Sequence, residues 1–141
     1  MPAGKSPAQL YALVFGVVLV AAGILGFFVN SSFDVGGDVP RDTLILFDVN
    51  AWHNIVHLLS GAVGLAVAGS YSASRLYALG YGAVYVLVTI LGFAVGDGGT
   101  IIGLIPINTE DNILHILIAA AGIGAGLATP AQPAPTTTAT A

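Results

Sequence analysis

Three polar residues recur with identical spacing at two places in this chain: Asn50, Asn54 and His57, then Asn108, Asn112 and His115. Spacings of four and three place each set along one face of a helix. Each histidine lies seven residues beyond its first asparagine, which puts it about 10 Å into that helix. Neutral imidazoles at matched depth admit two kinds of chemistry. One is an interhelical hydrogen bond to an Asn or a backbone carbonyl. The other is ligation, with His57 and His115 holding a b-type haem iron or a divalent metal and Asn54 and Asn112 in support. His53 stands four residues before His57, a spacing that can chelate from one helix face. Its counterpart in the second set is Asp111, so His53, His57, His115 and Asp111 make up a candidate site of three nitrogens and one carboxylate. Asn50 and Asn108 are expected to cap their helices, and Glu110 and Asp111 suit a helix N-terminus through its dipole.

The elements that carry these residues are membrane elements. Of 141 residues, 56% are hydrophobic and 7% charged, against the roughly 25% charged of an average soluble domain. Apolar runs cover 11–29, about 51–69, 76–96 and about 112–128, each near the ~20 residues that a helix needs to cross a bilayer. Backbone amides in lipid must bond within their own segment, so the expectation is an all-α membrane protein of four transmembrane helices. The run at 11–29 exceeds the h-region of a cleaved signal and is read as a retained span. The chain has no cysteine, which excludes disulfides, thiolate metal sites and covalently attached haem.

The chain also repeats itself. Tyr11-Ala12-Leu13 and Ile24-Leu25-Gly26-Phe27 return as Tyr77-Ala78-Leu79 and Ile90-Leu91-Gly92-Phe93. The offset is 66 residues for the first and third runs and 58 for the second and fourth, so the first copy carries eight extra residues in its outer connection. Two helical hairpins in the same orientation, at about 10–69 and 76–128, are therefore expected, related by an axis along the membrane normal. Small-residue stripes accompany the repeat: Ala12, Gly16, Gly23 and Gly26 on span one, Ala78, Gly82 and Gly92 on span three. Such stripes let helix backbones approach closely where no hydrophobic effect drives them together. Both outer connections run from a Gly-Gly pair into an apolar stretch, and are expected to lie on the rim of the bundle.

Charge sets the orientation. Lys5 and Arg75 flank one side and all seven acidic residues lie on the other, accompanied by Arg41. The positive-inside rule puts both termini and the 70–76 turn in the cytoplasm of a bacterial cell, with the protein in its inner membrane. Tyr11, Tyr71 and Tyr77 would mark the inner interface, and Trp52, Phe47 and Phe28 the outer one. Residues 1–9 read as a cytoplasmic arm and 129–141, rich in Pro, Thr and Ala, as a disordered tail. No charged residue falls in mid-span and no span is broken, which argues against an ion-coupled transporter. Glycines such as Gly122, Gly124 and Gly126 lack the strand that a phosphate-binding loop requires.

The stretch from Asn50-Ala51-Trp52-His53-Asn54-Ile55-Val56-His57 to Gly64-Leu65, with Asp111-Asn112-Ile113-Leu114-His115, resembles a bacterial family of four-span membrane proteins known as domain of unknown function 4383. The resemblance covers about residues 10–128 and implies the fold but no activity. Where Gly61 stands in the first copy, the second reads Ala119, a departure from the pattern. The residues themselves point first to a non-enzymatic structural or accessory protein that contacts lipid and packs as a homo-oligomer or in a larger membrane complex, without nucleic acid and without a cofactor. The second reading is a redox or sensor protein using haem b or a metal on the histidines.

Overall fold

The structure is a computed structural model and describes residues 4–131. Four helices carry the chain: α1 (Pro7–Val29), α2 (Ala51–Val67), α3 (Tyr71–Val95) and α4 (Thr109–Leu127). α1 begins before its apolar run because Ser6 caps it: the Ser6 hydroxyl accepts from Gln9 N while the Gln9 side chain accepts from Ser6 N, a reciprocal capping box. Residues 7–9, read as part of the arm, are thus helical. The Ser70 hydroxyl caps α3 by accepting from Ala73 N, without the reciprocal bond, so α2 stops at Val67 instead of running to 69.

The two outer connections contain strands that an all-helical reading does not foresee. β1 (Asp42–Leu44) pairs with β2 (Phe47–Val49), and β3 (Thr100–Ile101) with β4 (Ile105–Pro106), each pair antiparallel. Hairpin turns favour Asn or Gly at positive φ, whereas here Ile45 (φ 62°) and Ile102 (φ 47°) occupy that region. The first hairpin therefore lacks the usual turn glycine, while the second has one in Gly103 (φ 70°). Both apolar stretches bend back on themselves and cap the same end of the bundle.

α1 packs along α2, and α3 along α4, over most of their lengths, while α2 and α3 touch sparsely despite the short turn joining them. Close approach explains the paired helices. A Cβ on Gly61 would stand 2.6 Å from Val20 N, and one on Gly122 2.8 Å from Ala78 O. Between the pairs, tyrosines make the ties: Tyr11 Oη donates to Ile118 O (3.3 Å) and Tyr77 Oη to Ser60 O (3.0 Å). These two tyrosines are buried in the core with Ala8, Ala12, Ala78 and Ala119, which corrects their placement at the inner interface. Their hydroxyls serve carbonyls of neighbouring helices rather than lipid headgroups. Tyr71 does sit at that end, donating to Pro130 O.

α1, α3 and α4 are long and apolar enough to cross a membrane, at 23, 25 and 19 residues; α2, with 17, is shorter. Outward faces carry Phe28, Leu76 and Leu117 in the open, as a lipid-facing surface does. The start of the expected tail is packed, not free. Thr129 is fully buried, accepts from Ala8 N and donates to Ala125 O, and its carbonyl takes Arg75 Nε at 2.7 Å. Residues 1–3 and 132–141 of the arm and tail lie outside the described residues.

Candidate functional site: a histidine cluster beneath the hairpins

Both expected N-caps are present. Asn50 Oδ1 accepts from His53 N (3.0 Å) and Asn108 Oδ1 from Asp111 N (2.8 Å). Each cap also reaches across the molecule: Asn50 Nδ2 donates to Leu104 O (2.7 Å) and Asn108 Nδ2 to Leu46 O (2.9 Å). Each helix start is thereby tied to the turn of the other hairpin. Gly36 N donates to Gly103 O (2.8 Å), and Arg41 reaches both the Asp48 carboxylate (3.7 Å) and Gly99 O (3.4 Å). The hairpins form one cross-braced cap over α2 and α4.

Under this cap the three histidines converge. One ligand nitrogen from each of His53, His57 and His115 lies within 4.8 Å of the others. His53 and His57 have ring centroids 4.4 Å apart, and His53 and His115 6.3 Å. His53 and His115 are 2% and 3% exposed, while His57 is half-buried. His53 Nδ1 lies 2.7 Å from Asp48 O. A carbonyl only accepts, so Nδ1 carries the proton and the Nε2 lone pair of the neutral ring is free. Metal-bound histidines are typically oriented by such a bond from the second ring nitrogen. His115 Nδ1 is buried without a hydrogen-bond partner. Among the described residues, neither His57 nor His115 makes a hydrogen bond to an Asn or to a backbone carbonyl.

Asp111 stands apart from this cluster. Its Oδ2 accepts from Asn108 N (3.2 Å) and from Asp48 N (3.1 Å). The carboxylate thus completes the α4 capping box and pins β2, whose Asp48 carbonyl in turn holds His53. At matched positions of the two polar sets, His53 and Asp111 grip opposite sides of one residue, Asp48. Asp111 therefore orients a cluster member and is not itself one.

Asn54 and Asn112 likewise face away from the histidines. Asn54 Nδ2 donates to Asn30 O (2.8 Å), and its Oδ1 packs on Gly26, where an added Cβ would collide with it; Asn112 Oδ1 packs on Gly92 in the same way. Both Oδ1 atoms lack a conventional donor, and the glycine Cα–H groups supply the weak contact such positions allow. These asparagines hold the helix pairs together and are not supporting ligands.

A cavity of about 70 Å³ adjoins the histidines, lined also by Ser60, Tyr81, Val84, Tyr85 and Ile105. Tyr85, whose ring lies 5.2 Å from His115, is a site residue that the sequence reading passed over. Its signal was the run Tyr77, Tyr81, Tyr85 at four-residue intervals along one face of the helix. A cavity of this size has no room for a porphyrin, so clamping a haem between His57 and His115 does not fit the packing. Three imidazoles do fit borderline cations such as zinc, copper, nickel or cobalt. Zinc–nitrogen bonds of about 2.0–2.1 Å require the nitrogens to draw closer than 4.8 Å.

The family model described as Domain of unknown function (DUF4383) matches residues 9–128. The chain belongs to this DUF4383 family. The match takes in all four helices but for the first two residues of α1, both hairpins and the three histidines. No curated protein and no solved structure is similar to this DUF4383 chain at a significant level.

Proposed function

We propose that this DUF4383 protein is a four-span membrane protein that binds a divalent transition-metal ion on His53, His57 and His115. The convergence of three imidazoles, one with its tautomer set by Asp48 O, carries the reading. Buried imidazole nitrogens without partners are costly, and a shared cation is a partner that one nitrogen of each ring can reach. Protein nitrogens fill three positions and leave at least one open, the pattern of a site that meets an exogenous ligand. We read it as a binding centre in a non-enzymatic protein.

The architecture follows from the same residues. α2 spans about 25 Å, short of a ~30 Å core, yet it runs antiparallel beside α1 and returns directly into α3. Its Asn50 cap and the 68–70 turn complete the crossing. The paired ties Tyr11–Ile118 and Tyr77–Ser60, and the paired contacts Gly26–Asn54 and Gly92–Asn112, differ by the same 66 and 58 positions. This supports two duplicated hairpins in parallel orientation. The positive-inside rule favours the bacterial inner membrane with both termini cytoplasmic and the histidine end outward. The small-residue faces that suggested an accessory subunit or homo-oligomer are spent inside the chain, on the α1–α2 and α3–α4 contacts.

The test is metal analysis of protein purified in mild detergent, with oxidised and reduced visible spectra beside it. One equivalent of zinc, copper, nickel or cobalt, lost on chelation and regained on titration, is the expected result. A metal-free protein that gives no binding heat with any of these ions would overturn the reading.

A further inference from the structure

A groove adjoins the histidine cluster. Ser60, Tyr81 and Val84 line the cavity beside the histidines and also line a groove of about 560 Å³ between α2 and α3, continued by Val63, Val67, Leu76 and Gly80. The groove exists because α2 and α3 diverge from their short turn and pack on other partners. Its volume lies in the ~300–1,000 Å³ range of ligand sites. Its walls are almost wholly apolar, and Val63, Leu76 and Val84 at its rim are exposed on the outward face of the bundle. It therefore opens sideways, where lipid stands.

Charge decides what chemistry belongs at the closed end. Three neutral imidazoles leave a divalent ion with both its charges, and the cavity and groove contain no carboxylate. Asp111 lines a second cavity, of about 330 Å³ between α1, α4 and the first hairpin, which His57 also borders, and its Oδ2 is already engaged by two backbone amides. Even with Asp111 ionised, one positive charge is left over in surroundings of low dielectric, where an uncompensated charge is costly. An anionic ligand on the open coordination position removes that cost. The buried, unpartnered Nδ1 of His115 beside the same cavity marks a second polar position that the chain itself does not satisfy.

We propose that the α2–α3 groove binds a single-chain, long-chain carboxylate, its head on the metal held by His53, His57 and His115 and its chain along Ser60, Val63 and Gly80. This rests on the metal-binding reading above. A 70 Å³ cavity admits a carboxylate but not the glycerophosphate head of a two-chain lipid. The head would lie toward the hairpin end and the chain would run between α2 and α3 toward the 68–70 turn.

The experiment uses the full chain in phosphatidylcholine nanodiscs loaded with cobalt(II), whose visible d–d bands report its ligands. Palmitate should shift those bands at a concentration at least tenfold below that needed for acetate. Because palmitate also concentrates in the bilayer, the deciding arm is Gly80→Phe, which fills the groove at a position where an added Cβ meets nothing, with Val63→Phe from the opposite wall as a second variant. Both variants should keep cobalt affinity and the acetate response, and lose the advantage of palmitate over acetate. An undiminished palmitate response in both variants, or equal potency of the two acids in the unaltered chain, would overturn the groove proposal alone. Failure of cobalt to bind would overturn the metal reading and this proposal with it.

Discussion

At the scale of single residues, the decisive contrast is between His53 and Asp111. They occupy matched positions in the two polar sets, and both engage Asp48, one through its carbonyl and the other through its amide. Replacing His57 or His115 with Ala should weaken metal binding by more than the roughly 10–100-fold that loss of an outer-shell partner costs, measured by calorimetry. Asp111→Ala should leave two backbone donors unpaired, a loss of about 1–3 kcal/mol of stability, and should weaken metal binding without removing it. Asp111→Asn keeps an acceptor oxygen and should restore most of both. A protonated imidazole cannot ligate, so binding should release protons and weaken as pH falls; a metal affinity that does not change between pH 8 and pH 5 would speak against histidine ligation. A shared ion on the three histidines was legible as a candidate from their spacing. That Asp111 would be excluded was not, because a carboxylate at a helix N-terminus has competing uses and only the position of β2 selects one.

At the scale of elements, pairing of helices depends on asparagine meeting glycine. Asn54 Oδ1 lies on Gly26 and Asn112 Oδ1 on Gly92, with no space for a side chain. Gly26→Ala and Gly92→Ala should each destabilise the protein by about 1–3 kcal/mol through overpacking, read as a lower midpoint of thermal unfolding in detergent. Gly124→Ala, where an added Cβ meets nothing, should leave that midpoint unchanged or raise it slightly, since Ala outranks Gly in helices. The small-residue stripes were visible in the sequence, and so were the helices. The hairpins were not, because Ile45 and Leu46 stand in the first turn without a glycine, because Ile102 takes positive φ ahead of Gly103 in the second, and because the bonds that brace the turns come from Asn50 and Asn108 on the opposite polar sets.

For the whole molecule, the reading is four crossings with the two hairpins at one end and the 68–70 turn at the other. The chain contains no cysteine, so single cysteines introduced at Gly37, Gly98 and Gly69 can be labelled without background. A membrane-impermeant maleimide should reach Gly37→Cys and Gly98→Cys from one side and Gly69→Cys only from the other; labelling of all three from one side would contradict four crossings. Composition and run length alone determined that this is a helical membrane protein, because lipid offers no partner for a free backbone amide. The internal offsets of 66 and 58 pointed to matched polar faces at equal depth. Only the tertiary structure decided which of those polar residues meet. Spacing along a helix specifies a face but not what that face opposes, and burial of Asn54 and Asn112 against glycines, of Asp111 against β2, and of the three histidines against one another depends on how the two helix pairs and the crossed hairpins come together.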